Sequence, residues 1–282
     1  MTDTATPSGP PVAWVLRRIG FFVFCAVVLA FFAVPMLWLA SAPFDSRPGI
    51  GLHWPEWTLD NVRTTLAHPY ALSSLVNSLV LCAIATAVTT VCAALAAYAL
   101  SRARIPGKRA LIYVLLLLSS VVTGTAAMVP IFVMMFQLGL INSQFGTALV
   151  LAGGMLPAAI FILKDFVDSV PSSYEESARV FGASRAQVLA HVVLPVARPG
   201  IATILVWAFV QAWGNFLLPF LLLRQVDAQP AAVLLRTLQD EGGGANLAVI
   251  PVFSLLYSIP VVVLYLFVSK RYGFRFHGGI KS

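Results

Sequence analysis

Residues Ala110–Leu163 read ALIYVLLLLSSVVTGTAAMVPIFVMMFQLGLINSQFGTALVLAGGMLPAAIFIL, a run of 54 residues without Asp, Glu, Lys or Arg. A helix that crosses a bilayer needs about 20 apolar residues, so this run is long enough to cross twice. Its middle, Gly139–Gly146, contains the Gly, Asn and Ser residues that are typical of a turn. We therefore predict two membrane-spanning helices joined by a short connector.

The whole composition favours a membrane protein. The chain is 59% hydrophobic and 10% charged, with a mean hydropathy of +0.89, whereas soluble domains carry about 25% charged residues. Four more stretches lack Asp, Glu, Lys and Arg: Ile19–Phe44, Thr64–Ser101, Pro199–Leu223 and Gly242–Ser269. The prediction is an all-α polytopic protein with one transmembrane domain, 19–269. Its six spans are predicted at 19–40, 75–100, 111–137, 145–167, 200–223 and 246–269.

The basic residues predict the orientation, because loops on the cytoplasmic side are enriched in Lys and Arg. With both ends inside, the inner segments hold 14 of the 18 Lys and Arg residues and net +9, against −2 outside. The tails 1–18 and 270–282 are then cytoplasmic. The basic residues are scattered at helix ends, which does not favour a nucleic-acid partner. Arg17-Arg18 before an apolar run resembles a signal peptide, but a run of about 22 residues exceeds the usual h-region of roughly 7–15, which favours a retained span.

Residues that would support catalysis or metal binding are not grouped in the sequence. Cys25, Cys82 and Cys92 fall inside predicted spans, so we predict no disulfide and no metal site. The sequence has no phosphate-binding Gly-x4-Gly-Lys-Ser/Thr, and no charged residue lies near the middle of a predicted span. A proton pump or ion-coupled carrier usually needs such a residue. We expect a protein that is not an enzyme, binds no cofactor and has no energy source of its own.

The longest predicted cytoplasmic loop, 168–198, has the pattern of two short helices. Ser172 with Glu175 has capping-box spacing, as does Ser173 with Glu176, and predicts a helix over 173–181. Glu175 also stands four residues before Arg179, the favourable order for an ion pair. This first helix is expected to be exposed.

A glycine and a second cap follow. Gly182 lies where a helix ends in the left-handed conformation, and Ser184 with Gln187 predicts a new helix that Pro195 ends. A plain connector between two spans needs no such construction, so the loop is predicted to dock into a partner.

The stretch Glu176-Ser-Ala-Arg-Val-Phe-Gly-Ala…Leu194-Pro-Val-Ala-Arg-Pro199 resembles the EAA loop of permease subunits in binding-protein-dependent ABC importers. It departs from that pattern at Phe181, where an aspartate is common. The resemblance implies that the loop is the coupling helix that seats in a groove of an ATP-hydrolysing subunit. The candidate coupling residues are Glu175, Glu176, Ala178, Arg179, Gly182, Ala183, Leu194 and Pro195.

Weaker matches resemble carbohydrate-class permeases of the maltose-importer type. They are Asn77-Ser-Leu, Ala96–Arg109, Val129-Pro-Ile, Trp213-Gly-Asn-Phe-Leu-Leu-Pro219 and the tail Lys270–Lys281. The candidate residues of a sugar path are Asn77, Gln211, Trp213, Asn215 and Phe216. Each has an alternative role: the amides as hydrogen bonds between helices, and the aromatic rings as packing.

The resemblance implies the assembly. A second homologous permease would complete the path, two ATPase subunits would use ATP and Mg²⁺, and a solute-binding protein would deliver the sugar outside a prokaryotic inner membrane. The alternatives are a permease for glycerol-phosphate-type solutes or polyamines, and a free-standing secondary carrier. Polyamines would need acidic residues in the spans, and the predicted spans have none near their middles.

Overall fold

The computed structural model describes residues 12–47, 49, 54–103, 106–107, 110, 113–114, 117, 125–238 and 246–272. Within this part the secondary structure is helical apart from one isolated bridge between Asp45 and Trp57. The main helices are α1 (Val12–Ser41), α2 (Asp60–Ala67), α3 (Ala71–Arg102), α4 (Met128–Gln137), α5 (Gln144–Asp168), α6 (Ser172–Val180), α7 (Arg185–Val196), α8 (Arg198–Trp213), α9 (Leu217–Leu222), α10 (Ala231–Thr237) and α11 (Ile250–Tyr272).

Four helices of the described part are long and apolar enough to cross a membrane: α1, α3, α5 and α11. Helix α5 lies within one residue of the predicted span 145–167 at each end. Helix α1 starts at Val12 rather than at residue 19, so Arg17 and Arg18 are part of the helix and not of a tail. Positions 111–112, 115–116 and 118–124 of the predicted span 111–137 lie outside the described residues, and α4 forms its last ten positions.

The predicted span 200–223 is not one helix. Helix α8 ends at Trp213, Gly214–Phe216 are not helical, and α9 begins at Leu217. The side chain of Asn215 accepts a hydrogen bond from the backbone N–H of Leu218 at 3.2 Å, which satisfies a donor that the helix break exposes. Backbone that leaves a helix at membrane depth is tolerated where it lines a cavity or is buried in protein.

The predicted turn between the two central spans is confirmed. Gly139 follows α4 with φ +67°, and Asn142 has φ +62°. The Asn142 side chain accepts hydrogen bonds from the backbone N–H groups of Arg224 (2.6 Å) and Gln225 (3.1 Å). The turn is therefore tied to the segment that follows α9.

The core forms where α3, α5 and α8 pack together. Small residues on the first two helices, Ala93, Ala97 and Ala159, are fully buried there. Small side chains let membrane helices approach closely, which maximises dispersion contacts where lipid offers no hydrophobic driving force. By contrast, α1 exposes apolar side chains along its length and buries almost none of them.

Two glycines inside helices differ in the space beside them, so their substitution by alanine is predicted to have different effects on stability. A Cβ on Gly200 of α8 would lie 2.4 Å from Cγ of Phe166 on α5, whereas a Cβ on Gly153 meets nothing within 4 Å. We expect Gly200→Ala to destabilise the protein by about 1–3 kcal/mol, since overpacking displaces a ring in the core. The measurement is the unfolding midpoint in detergent. Gly153→Ala is the matched control and should be neutral or slightly stabilising; equal behaviour of the two variants would contradict the packing.

Candidate functional site

The segment after α5 folds as a helix, a glycine turn and a second helix. Phe181 is the C-cap residue of α6, and Gly182 follows it with φ +86°. The N–H of Gly182 donates to the carbonyl of Arg179 (2.9 Å) and that of Ala183 to the carbonyl of Ala178 (3.1 Å). This pair of bonds is the Schellman motif, in which glycine is favoured because it adopts positive φ without a Cβ clash. The sequence prediction for Gly182 is confirmed.

The two predicted capping boxes have different outcomes. Ser184 and Gln187 form the reciprocal pair of hydrogen bonds at the start of α7, as predicted. The prediction for α6 is wrong, because Pro171 is its N-cap and no side chain caps it. Ser172 is the first residue inside the helix, one position beyond the N-cap, and its side chain therefore does not cap the helix.

Pro195 does not end the second helix as predicted. Helix α7 passes through a π-helical turn at Leu189–Val193 and continues to Val196. The chain then bends by 79° between α7 and α8, at Ala197, whose ψ of 9° is outside the helical range. Leu194 and Pro195 are half-buried, with Leu194 packed against the core of α3 and α5. The bend therefore directs α8 into the bundle while α7 stays at its end.

Glu175 is the best-connected side chain of the segment. Its carboxylate is 3% exposed and receives the Arg102 guanidinium at 2.5 Å (Nε to Oε1) and the Tyr98 hydroxyl at 3.1 Å. The predicted pair with Arg179 is present at 3.6 Å. Glu175 was predicted to contact a partner ATPase directly. The structure places this carboxylate against the protein interior, where Arg102, Tyr98 and Arg179 contact it, and its role toward an ATPase stays a prediction.

Arg102 links three elements at this point. Besides Glu175 on α6, its guanidinium donates to the carbonyls of Val167 (3.2 Å) and Val170 (2.8 Å) at the end of α5. Arg102 itself is the last residue of α3. A cation at a helix C-terminus is stabilised by the free carbonyls there. The partners of Arg102 lie 65 to 73 positions away along the chain, so residue spacing alone did not predict these contacts.

The outward face of α6 carries the remaining candidate groups. Glu176 is exposed, and so are Val180 (85%) and Phe181 (91%). Ala178 and Ala183 are half-buried and line a shallow groove of about 430 Å³ between α6 and α7. The segment thus presents an acid and an exposed aromatic ring beside a groove, on a helix whose inner face is fixed by an ion pair.

Asn77 was a candidate for the sugar path, and the structure uses its amide within the protein. The amide nitrogen donates to the carbonyls of Asp227 (2.7 Å) and Gln229 (3.2 Å), and the amide oxygen accepts from Gln144 (2.9 Å). Asn77 therefore ties α3 to α5 and to the segment after α9. These contacts favour the hydrogen-bonding alternative, and a role of Asn77 in the sugar path stays a prediction.

Trp213 likewise is a packing residue. It is 4% exposed, and its ring lies between Phe209 (centroids 5.5 Å apart) and Tyr257 (5.2 Å). Its indole N–H donates to the Tyr257 carbonyl at 3.1 Å, and the Tyr257 hydroxyl donates to the Trp213 carbonyl at 2.5 Å. These contacts favour the packing alternative for the ring, and its place in the sugar path stays a prediction.

Gln211 and Asn215 are brought together by the helix break. Both line a cavity of about 230 Å³ between α4, α5, α8 and α9, whose other walls are apolar and include Met128 and Gly154. We call this space the inner cavity. Phe216 does not line it; its half-buried ring stacks on Phe220 at 5.1 Å, and the Arg236 guanidinium lies 5.5 Å from its centroid. An apolar cavity with a few convergent amides suits a small hydroxylated ligand.

No group of three or more His, Cys, Asp or Glu side chains that could hold a metal ion occurs in the part of the chain that the structure describes.

The described part of the chain is helical, and four of its helices are long and apolar enough to cross a membrane. Residues 90–273 match the family described as the binding-protein-dependent transport system inner membrane component. This match covers more than half of the chain, and the chain belongs to this family.

Two similar proteins are named as transport permeases. The galactooligosaccharides transport system permease protein GanQ of Bacillus subtilis (strain 168) is 30% identical over 269 residues, which is 91% of this chain and 94% of that protein. The trehalose transport system permease protein SugB of Mycobacterium tuberculosis (strain CDC 1551 / Oshkosh) is 29% identical, over 87% of this chain and 90% of SugB. These relatives agree with a role in transport.

A solved structure shares the fold. The crystal structure of a bacterial ABC transporter involved in the import of the acidic polysaccharide alginate contains a chain with TM-score 0.79 and 22% identity, covering 95% of this chain and all of that one. At this identity the likeness shows the fold alone.

The ion-pair network predicts that two adjacent glutamates differ in their effect on stability. We expect Glu175→Gln to lower the free energy of unfolding by about 2–3 kcal/mol, because it leaves the Arg102 guanidinium partly buried without a counter-charge. Glu176→Gln, on the exposed side of the same helix turn, should change it by less than about 0.5 kcal/mol. Denaturant unfolding in detergent, followed by circular dichroism, measures both.

A double-mutant cycle with Arg102→Gln completes this test. If the network exists, the loss in the double variant is smaller than the sum of the two single losses. Strictly additive losses would mean that Arg102 and Glu175 do not interact.

Proposed function

We propose that this chain is the permease subunit of an ABC importer for a sugar, and that it couples transport to ATP hydrolysis by a separate subunit. The observation that carries the proposal is the coupling segment itself. One face of α6 is fixed to α3 and α5 by Arg102 and Glu175, while the other presents Glu176 and Phe181 to the outside. A segment held in this way moves with the bundle when a partner pushes on it.

The sugar assignment rests on relatives. Several permeases that are 27–30% identical to this chain are named for carbohydrates, among them galactooligosaccharides, maltodextrin and trehalose. These names do not favour glycerol-phosphate-type solutes, polyamines or a free-standing carrier.

The topology we propose has six spans and both ends in the cytoplasm of a prokaryotic cell, in its inner membrane. The family description and the inner membrane permease protein YcjP of Escherichia coli (strain K12), 28% identical, support this location. In this orientation α6 and α7 lie at the cytoplasmic face, and the Gly139–Asn142 turn lies outside. The coupling segment is then on the side where ATP is present.

The sugar path is proposed to pass through the inner cavity. Gln211 and Asn215 offer amide donors and acceptors to hydroxyl groups, and the apolar wall contacts the carbon skeleton. The cavity lies beside the helix break, where backbone groups are also accessible. Because this chain supplies one wall, a second homologous permease would enclose the path.

The mechanism follows from a rigid connection. Two ATPase subunits, which bind ATP and Mg²⁺, would each hold one coupling segment. Their closure would bring the two segments together and turn the path outward. A solute-binding protein would deliver the sugar there, as suggested by a related fold solved with a bound periplasmic protein (TM-score 0.61). This chain contributes no catalytic group; its residues transmit movement.

Co-purification from the native membrane tests the proposal. The tagged chain in mild detergent should retain an ATP-hydrolysing subunit and a second permease, as identified by mass spectrometry. Phe181→Asp should reduce the retained ATPase at least about tenfold, since the loss of a buried aromatic contact typically costs about 1.4 kcal/mol or more, and 1.4 kcal/mol corresponds to a factor of ten. Leu205→Asn, at a partly exposed site on α8 away from the coupling segment, is the control for folding and detergent handling. A chain that purifies alone would remove the basis for an importer subunit.

Gly182→Ala tests whether the glycine turn transmits movement. Alanine at φ +86° is strained by about 1–2 kcal/mol, so the turn should open and the angle between α6 and α7 should change. We expect the complex to assemble and hydrolyse ATP while uptake of labelled sugar into cells falls severalfold. Normal uptake would show that the bend has no part in coupling.

A further inference from the structure

A second cavity lies on the side of the bundle away from the coupling segment. It has a volume of about 390 Å³ and is lined by Phe132 of α4, Phe220 and Leu221 of α9, and Arg224 and Gln229 of the segment that follows. We call this the outer cavity. Its volume is at the lower end of the range of roughly 300–1,000 Å³ seen for small-molecule sites.

The outer and inner cavities lie along the same two helices. Met128 of α4 and Leu217 of α9 line the inner cavity, and Phe132 and Phe220 line the outer one. These positions are four and three residues further along their helices, a rise of about 5–6 Å. The lining residues of the two cavities are therefore about one helical turn apart along α4 and along α9.

The walls of the outer cavity offer an aromatic face. The Phe220 ring is 49% exposed, and its stacking on Phe216 holds its orientation. The Arg236 guanidinium over Phe216 fixes the other member of this pair. A fixed and accessible ring gives the C–H face of a sugar an apolar surface to cover.

The cavity also carries a positive charge that the described residues leave uncompensated. Arg47 pairs with Glu56 (3.5 Å) and Arg63 with Asp60 (3.8 Å). The guanidinium of Arg224, in contrast, forms no salt bridge with any described residue. Its backbone N–H, and not its side chain, bonds to Asn142. A planar guanidinium in a partly enclosed site is suited to a carboxylate.

We propose that the outer cavity is an entry site for a sugar unit that carries a carboxylate. The ring of the sugar stacks on Phe220, and its carboxylate accepts hydrogen bonds from Arg224. This inference rests on the proposed function for its place in a transport path, but the binding itself is a property of this chain. The substrate class is then an acidic carbohydrate. Its carboxylate is recognised in the outer cavity, and its hydroxyl groups are recognised by the amides of the inner cavity.

The experiment compares two disaccharides of like shape and different charge, digalacturonate and neutral galactobiose. Their affinities for the full-length chain in its purified complex are measured by saturation-transfer NMR titration. We expect digalacturonate to bind at least about tenfold more tightly, because a charge-assisted pair is formed, and its affinity to fall as salt rises. Arg224→Gln should abolish this preference, and Phe220→Leu should weaken binding of both disaccharides.

Arg63→Gln is the matched control, since it removes an exposed arginine that is already paired with Asp60. It should leave both affinities unchanged, and the unfolding midpoint shows that each variant is folded. The proposal is overturned if digalacturonate binds no better than galactobiose, or if Arg224→Gln and Arg63→Gln behave alike. Retention of the ATPase is scored on the same samples. A complex that assembles without the charge preference leaves the importer assignment standing, whereas loss of the ATPase removes that assignment whatever the cavity binds.

Discussion

The ion pair between Arg102 and Glu175 is the interaction on which the position of the coupling segment depends. A carboxylate that is 3% exposed would be costly to desolvate alone, so it is stable only where its partners are. Arg102 in turn satisfies two carbonyls at the end of α5. The ends of α3 and α5 and the start of α6 must therefore be arranged together. Moving α6 separately would leave a buried charge unpaired, and this makes it move with the bundle.

The helical bundle that contains this ion pair has two parts. In one part the helices are closely packed, and in the other a helix is broken. Alanines on α3 and α5, and Gly200 against Phe166, bring three helices into tight contact, where a displacement of one is transmitted to the others. The interruption at Gly214–Phe216 instead opens space beside α4 and α9, where both cavities lie. The described residues thus form a close-packed part around α3, α5 and α8 and, beside the broken helix, two cavities with polar groups in their walls.

The features that were predictable from sequence are local ones. Gly182, the Ser184 capping box and the Gly139–Asn142 turn are defined by residues within a few positions, so spacing and residue type were enough. The residues whose contacts the sequence did not predict have distant partners. Asn77 bonds to a residue 150 positions away, Glu175 to one 73 away and Trp213 to one 44 away. An amide, an acid or an indole looks available to a ligand until tertiary structure shows what it contacts. The resemblance to a family identified the segment, but could not show which of its two glutamates faces inward.

Phe181 is the position where the chain departs from the pattern of its family, and the structure gives a physical account of it. The backbone bonds of Gly182 and Ala183 end α6 without help from a side chain, so an acid before the glycine is not needed as a cap. The residue is instead 91% exposed beside Val180, which is 85% exposed. Two neighbouring apolar side chains gain at roughly 25 cal/mol per Å² when a partner covers them, and they gain nothing from a basic groove. In the proposed importer, the ATPase surface that covers this side of α6 would therefore carry an apolar recess opposite Phe181, whereas one that pairs with an aspartate would leave its cation unpaired there. The fold of the segment itself does not depend on an acid at this position, because backbone hydrogen bonds end α6.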